Sequence, residues 1–415
     1  NEFEKICPVN IGYTAGIETD RCAPVWLQKV NTMDKVLVVS EHAKSVFETT
    51  KVKGTNEQSG EVVNLELNAP IEVVHESTLR KNPEPLLAFD PPTDFNFLIV
   101  SQAGPRKNFK NTVKWWIEEF IDMDVGLVIK TNTVCNSRID REHTENYLKK
   151  LTNGYPDRKC KIYLLHGDLS EGQMTTLYTH PKIKAMINIA HGEGFGLPLF
   201  EAAREGLPIL TINWSGQKDF LIYNNKKYFE TVKHEIRPIG KEAVWDGVLV
   251  KESRWAFAEQ GSYKMALRKI YKKWDKAKER ATQLQQLVMK EFDDTKLYAN
   301  FVSQIHQDET AAVNVEDIPK ISLITSVFNA NDHIEQLMED VTRQTIFKEK
   351  CEWLIYNVEP EGENYAEEVI LKYKERYPDN IQYERLGNDP GVYGVWNAAI
   401  ENSTGEFVTN INCDD

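Results

Sequence analysis

The sequence predicts an α/β protein built from parallel sheets covered by helices on both faces, in more than one domain. Three observations lead there. Continuously apolar runs alternate with amphipathic segments from about residue 94 to residue 212, the alternation restarts at residue 321, and 415 residues exceed one ordinary core. Strands that are apolar throughout, rather than at every second position, are buried on both faces.

In chain order, residues 35–39 read as a buried strand, Ser40 caps a helix running to about Thr49, and 70–74 read as a strand. The polar stretch 51–68 between them is expected to be irregular. Pro83, Pro85, Pro91 and Pro92 mark a boundary near residue 88. Strands then follow at 95–100, 125–129, 161–165, 185–189 and 208–212, with helices at 108–120, 170–178 and 198–205. Residues 262–305 are helical and 306–317 read as a linker. The second alternation places strands at 321–325, 353–356 and 406–412 and helices at 334–344, 365–377 and 392–401. The expected domains are therefore 1–88, 89–305 and 318–415. The chain opens on Asn1 rather than Met and stops directly after a strand-like run, which predicts a piece cut from a longer protein at both ends.

Composition narrows the function. With 41% hydrophobic and 27% charged residues the chain has the make-up of a globular protein, and no run approaches a membrane span. A net charge of -13 argues against a nucleic-acid-binding surface, which needs clustered Lys and Arg. Six scattered cysteines form no C-x-x-C pair, so reduced thiols without a zinc site are expected.

The most informative stretch runs from His191 to Glu201. It leaves a buried strand, passes through Gly192, Glu193, Gly194, Phe195 and Gly196, and opens a helix with Pro198 in its first turn. Such a turn brings backbone and a helix N-terminus to an anion, at the carboxyl end of a strand where open α/β sheets bind ligands. Glu193 and Glu201 bracket it, which suits a ligand carrying hydroxyls on either side of its phosphates. Arg106 and Lys107, again between a strand and a helix, supply positive charge, and Lys130 ends a further strand. His191 reads as a wall of the pocket, and Trp115 and Trp116 as packing.

These residues resemble glycosyltransferase family 4, of GT-B fold. Residues 193–201 match its E-x7-E motif, Arg106-Lys107-Asn108 its diphosphate-binding segment, and Gly216–Asp219 the loop that follows, so the resemblance covers roughly residues 10–305. It implies a double Rossmann architecture whose first domain is incomplete here. It also implies contact of Glu193 with the transferred sugar, Glu201 on the ribose, and Arg106 and Lys107 on the leaving diphosphate. The Gly194–Gly196 backbone would lie along the sugar phosphate, with Lys130 and His191 nearby. The implied chemistry is retaining, needs no cofactor or metal, and relies on fixed charge around the departing diphosphate. Residues 13–20 would line the acceptor cleft.

Residues 319–415 resemble the N-terminal half of glycosyltransferase family 2, of GT-A fold. The matching pieces are Ser326–Asn329, Arg343–Thr345, Asp389–Tyr393 with Trp396 and Asn397, Thr404–Glu406, and Asn412-Cys413-Asp414-Asp415 at the place of its D-x-D-type motif. The resemblance implies a donor pocket using Asp389, Asn412, Asp414 and Asp415, with Mg or Mn held by Asp415. Asn357 stands where the family often has Asp. The family's general base lies further along, so this segment is expected to bind donor without catalysis.

The two resemblances together imply a cytoplasmic, bifunctional glycosyltransferase working on a nucleotide-sugar donor and a glycan or lipid-linked acceptor, at or away from the inner face of the membrane. Two alternatives share the phosphate turn: a GT-B-fold nucleotide-sugar epimerase and a non-catalytic sugar-nucleotide-binding fragment. Transfer to an acceptor distinguishes the first reading; a changed sugar on the free nucleotide distinguishes the second.

Overall fold

In the computed structural model the chain forms two compact units, residues 1–306 and 307–415. The structure describes residues 5, 7–55, 62–77, 80–86, 89–305, 315–328, 330–358 and 365–413. Most of the expected linker, 306–314, lies outside them.

The first lobe of unit 1 holds β1 (Ile11–Thr14), α1 (Pro24–Val30), β2 (Lys35–Val38), α2 (Glu41–Thr49), β3 (Val52–Thr55), β4 (Val62–Leu65) and β5 (Ile71–Val73). Strands β1, β2 and β5 form a parallel sheet in the order β1-β2-β5. Ser40 caps α2 by accepting the Ala43 N–H. The stretch expected to be irregular instead contains an antiparallel ribbon, Val52 pairing with Leu65 and Thr55 with Val62. Its β-branched residues favour that extended pairing, but too few of them alternate to announce it.

The second lobe contains β6 (Asn96–Val100), α3 (Phe109–Phe120), β7 (Gly126–Lys130), α4 (Arg138–Thr152), β8 (Lys161–Leu165), α5 (Glu171–Thr179), β9 (Ile183–Asn188), α6 (Leu197–Arg204) and β10 (Ile209–Ile212). After these come α7 (Lys218–Leu221), the short pair β11 (Ile222–Tyr223) and β12 (Lys226–Lys227), β13 (Glu230–Val232), and the antiparallel pair β14 (His234–Pro238) and β15 (Arg254–Ala258). Helices α8 (Gln260–Lys272), α9 (Trp274–Glu291) and α10 (Asp294–Ile305) close the unit. Six strands make one parallel sheet in the order β13-β10-β9-β6-β7-β8. The chain runs outward from β6 on one side and resumes at β9 on the other, so the loops after β6 and β9 diverge at a topological switch point.

Burial on both faces explains the apolar strands. Phe97, Leu127, Ile129, Ala185 and Ile187 pack beneath α3 and α8, in one cluster with Val113, Trp116, Ile117, Phe120 and Tyr263. Their neighbours Leu98, Val128, Met186 and Ile209 pack on the opposite face with Leu199, Phe200, Phe220 and Leu284. The spacing of Val113, Trp116, Ile117 and Phe120 is one face of a helix, and all four are fully buried.

Unit 2 holds β16 (Ile321–Val327), α11 (Ile334–Thr342), α12 (Phe347–Lys350), β17 (Cys351–Asn357), α13 (Tyr365–Arg376), β18 (Ile381–Arg385), α14 (Val392–Asn402) and β19 (Phe407–Asn410). Its four strands are parallel in the order β18-β17-β16-β19, which puts a second switch point between β16 and β19. Among the described residues no helix is long and apolar enough to cross a membrane.

Phe120 touches Phe97, Trp116 and Tyr271 at ring-centroid distances of 5.3, 5.3 and 5.9 Å. Truncation to Ala should destabilise unit 1 by about 3–5 kcal/mol through lost burial and a residual cavity. Urea unfolding of the full chain followed by tryptophan fluorescence measures this.

Candidate functional site

The loops after β6 and β9 meet at the switch point of unit 1. After β6, a short 3-10 turn at Pro105–Lys107 precedes α3, with Asn108 in the left-handed region at φ 50° between them. After β9, residues 189–196 lead into α6, whose cap Gly196 has φ 98°. That backbone suits glycine, which has no Cβ to clash there.

Glu193 is the centre of this meeting and is 4% exposed. Lys107 Nζ donates to both of its oxygens, Oε1 and Oε2, at 2.7 Å each. Arg106 donates through Nη1 to Oε2 at 3.0 Å and to the Gly192 carbonyl at 2.8 Å. Asn188, the polar end of β9, donates to Oε1 at 2.9 Å. The Glu193 N–H in turn donates to Ser215 Oγ at 2.9 Å. Burial alone would raise the Glu193 carboxyl above its ordinary 4.5; the Lys107 and Arg106 charges, with the Asn188 and Lys107 hydrogen bonds, outweigh it and hold the carboxyl below that value. A lowered carboxyl contributes stability above its unfolded value and loses that contribution as pH falls through the folded one.

Arg106 also reaches the first lobe, its Nη2 lying 3.3 Å from Glu18 Oε1. The loop carrying Glu18 is pressed onto the 192–194 turn. A Cβ on Gly192 would lie 2.0 Å from the Glu18 carbonyl oxygen, and one on Gly194 2.2 Å from that of Ala15. On the side that a Cβ would occupy, these glycines therefore serve the approach of one backbone to another. Further ties join the lobes. Ser40 Oγ donates to the Gly194 carbonyl at 2.6 Å, the Glu41 N–H donates to Asp219 Oδ2 at 2.8 Å, and His75 Nε2 lies 3.1 Å from the same oxygen.

Two residues named for the site have buried side chains. His191 is 7% exposed. Its N–H donates to the Arg106 carbonyl at 2.8 Å, Nδ1 lies 2.6 Å from the Ala256 carbonyl oxygen, and the ring stacks on Trp255 at 4.8 Å. Burial pushes its imidazole below the ordinary value. The Phe195 side chain is 2% exposed among Phe200, Phe220 and Phe292, so only its backbone is available to a ligand. Hydrophobic packing claimed both side chains.

A cavity of about 470 Å³ opens beside the cluster at the carboxyl ends of β6, β7 and β8. Ser101, Gln102, Lys130, Asn132, Asp168 and Pro198 are among its lining residues. Ser101 also lines the small cavity against Lys107 and Asn188. Burial lowers the Lys130 ammonium from its ordinary value, opposed by the nearby Asp168 charge. Glu201 lies one helical turn beyond Pro198, and the Tyr178 hydroxyl donates to its Oε2 at 2.8 Å. Burial raises the Glu201 carboxyl, against the lowering effects of that hydrogen bond and of Arg204. Glu193, ahead of α6, and Glu201, within it, thus lie in opposite electrostatic surroundings. Sequence reading named Glu18 only within the 13–20 stretch of the acceptor cleft and missed Asn188, Ser215 and Tyr178; of these Asn188 alone left a signal, as a polar residue closing an apolar strand.

In unit 2 the ends of β16 and β19 converge: Thr325 Oγ1 donates to the Ile411 carbonyl at 2.9 Å, and Cys413 Sγ lies 3.5 Å from the Ser326 carbonyl oxygen. Asp389 is exposed and accepts the Gly391 N–H at 2.7 Å, ahead of α14. Asn412 is half-buried at the same edge. Asn357 is fully buried and donates to Tyr383 at 3.1 Å. Asn329, Asp414 and Asp415 lie outside the described residues. The described residues contain no group of three or more His, Cys, Asp or Glu side chains able to hold a metal ion, so they do not by themselves make the divalent-cation site that the sequence suggested. A cavity of about 490 Å³ in this unit has mostly apolar walls, including Leu323, Leu337 and Phe347, and neither Asp389 nor Asn412, the described residues expected to bind donor, lines it.

Residues 322–415 match the family described as Glycosyl transferase family 2. Within that class, a segment of 96 residues is 29% identical to the poly(ribitol-phosphate) beta-glucosyltransferase of Bacillus spizizenii, covering 23% of this chain and 15% of that protein. The chain thus spans about one-seventh of the length of the curated relative it matches. Among solved structures, it is similar to Anabaena HepE in complex with UDP and glucose, with a TM-score of 0.44, 13% identity, and coverage of 71% of this chain and 70% of that one. It is also similar to sucrose-phosphate synthase from Thermosynechococcus elongatus, with a TM-score of 0.43, 14% identity, and coverage of 68% and 61%.

Gly192→Ala should destabilise unit 1 by about 1–3 kcal/mol, because its Cβ meets backbone that has no rotamer to yield. Gly104→Ala, whose Cβ would meet nothing within 4 Å, should stay within about 0.5 kcal/mol of the parent. Paired thermal melts compare them.

Proposed function

We propose that the chain is part of a glycosyltransferase that moves a sugar from a nucleotide-sugar to a glycan or lipid-linked acceptor. Unit 1 supplies a retaining, family 4-like module of GT-B type, and unit 2 the donor half of a family 2-like module. In unit 1, residues 1–88 would form the back of the acceptor-side domain and 89–305 the donor domain. The observation that carries this reading is the meeting of Arg106, Lys107 and Glu193 at a switch point, beside a cavity of about 470 Å³ that reaches the first turn of α6.

A nucleoside diphosphate fits this arrangement chemically. The nucleoside occupies the cavity along Lys130 and Asp168, the ribose hydroxyls donate to Glu201, and the diphosphate lies between the N-terminus of α6 and the Arg106–Lys107 pair. As the bond from sugar to phosphate breaks, negative charge grows on the diphosphate. Two fixed cations and a helix N-terminus stabilise that charge more than they stabilise the ground state, which lowers the barrier. Glu193, held ionised by the same cations, takes hydrogen bonds from the sugar hydroxyls. A carboxyl raised by burial costs stability at neutral pH, and a site that needs the Glu201 charge accounts for that cost.

Calorimetric titration of the full chain with UDP-, GDP- and ADP-sugars tests the proposal. Glu201→Ala should weaken binding of whichever donor is taken by about 1–3 kcal/mol, the scale of a lost charge-assisted hydrogen bond, and excess chelator should leave the affinity at the unit 1 site unchanged. Unaltered affinity in the variant, or strict dependence on a divalent ion at that site, would remove the reading.

A further inference from the structure

We infer that Glu18, on the first-lobe loop, is a positioning residue that holds Arg106 while the site is empty and yields it to the diphosphate, so that the first lobe sets donor affinity. The inference rests on the reading of Arg106 and Lys107 as the diphosphate seat. It starts from charge. Glu18, Glu193, Arg106 and Lys107 form one contiguous cluster of two carboxylates and two cations. Its formal sum is zero, and withdrawal of one carboxylate leaves a net positive charge facing an arriving diphosphate.

The two carboxylates are not equally held. Glu193 is buried, takes three donor groups at 2.7–3.0 Å, and sits on a turn fixed through Ser215. Withdrawing it would leave its charge without partners in a site closed to water, which is strongly unfavourable. Glu18 has 27% of its side chain exposed and makes one contact to Arg106, at 3.3 Å. Its charge can return to solvent at little cost. Its backbone cannot follow, because the Glu18 carbonyl is pressed against Gly192. Only the side chain moves, and the loop stays as a fixed wall of the seat. Diphosphate binding thus exchanges one anion on Arg106 for another and leaves the Lys107–Glu193 pair intact.

Inorganic pyrophosphate is the probe, titrated calorimetrically into the full chain. Glu18→Gln removes one negative charge from the seat and should tighten pyrophosphate binding roughly three- to tenfold, an advantage that shrinks as salt is raised. Glu18→Asp keeps the charge and should remain within about twofold of the parent. A loop held together by Glu18 for structural reasons alone would give the opposite sign, with weaker binding and a lower melting temperature in Glu18→Gln. Unchanged or weakened binding in Glu18→Gln, or no binding by either protein, overturns the inference. Arg106→Ala and Lys107→Ala separate it from the reading beneath it. If they leave pyrophosphate binding intact, the seat itself is misplaced. If they abolish binding while Glu18→Gln fails to tighten it, only the role of Glu18 falls.

Discussion

The buried Glu193 carboxylate and its two cations are the constraint on which unit 1 turns. A carboxylate at 4% exposure is tolerated only with partners, and its partners come from the loop after a different strand. Pairing them fixes the 105–107 turn against the 192–196 turn, and the His191 N–H to the Arg106 carbonyl repeats the tie through backbone. Such a cluster is weak evidence for stability, since apolar residues of similar volume often do as well. Its worth lies in orientation: two cations are held together at a switch point.

The glycines around that carboxylate are explained by the same closeness. Gly192 and Gly194 admit the backbone of the first-lobe loop, and a Cβ on Gly216 would lie 1.8 Å from the Gly194 carbonyl oxygen. Three backbone segments from two lobes thus stack within contact distance, which large side chains could not allow. The outcome is a wall of main chain around the charged cluster, with Ser40 and Asp219 fastening its edges. Distant in sequence, residues 15–18, 192–194 and 215–219 behave as one local structure.

How much of this the sequence carried depends on whether the signal was local. The strands of the second lobe's sheet from β6 to β10 and the helices α3, α5 and α6 were legible because each is a short run with one periodicity, whereas α4, polar over most of its length, was not. The turn from Gly192 to Pro198 and the pair Arg106–Lys107 were legible as chemistry. Their convergence was expected from the resemblance and not from any local signal, because proximity between loops after β6 and β9 follows from sheet order. The same limit hid the contact of Glu18 with Arg106 in the other lobe and the β14–β15 pair, whose strands are separated by a long connection. The side-chain packing of His191 on Trp255 and of Phe195 on Phe292 was hidden for the same reason, since those partners lie far along the chain.

Unit 2 obeys the same logic, with β16 and β19 delivering the residues after their carboxyl ends to a single edge. The central claim concerns unit 1, that Glu193 holds Arg106 and Lys107 over a diphosphate seat. Carbon-detected NMR of side-chain-labelled glutamates, titrated against pH with and without pyrophosphate, tests it most directly. The account predicts that the Glu193 carboxyl titrates below the ordinary glutamate range in the free protein and shifts when pyrophosphate takes up part of the cationic charge. A Glu193 resonance that titrates normally, or that pyrophosphate leaves unmoved, would contradict it.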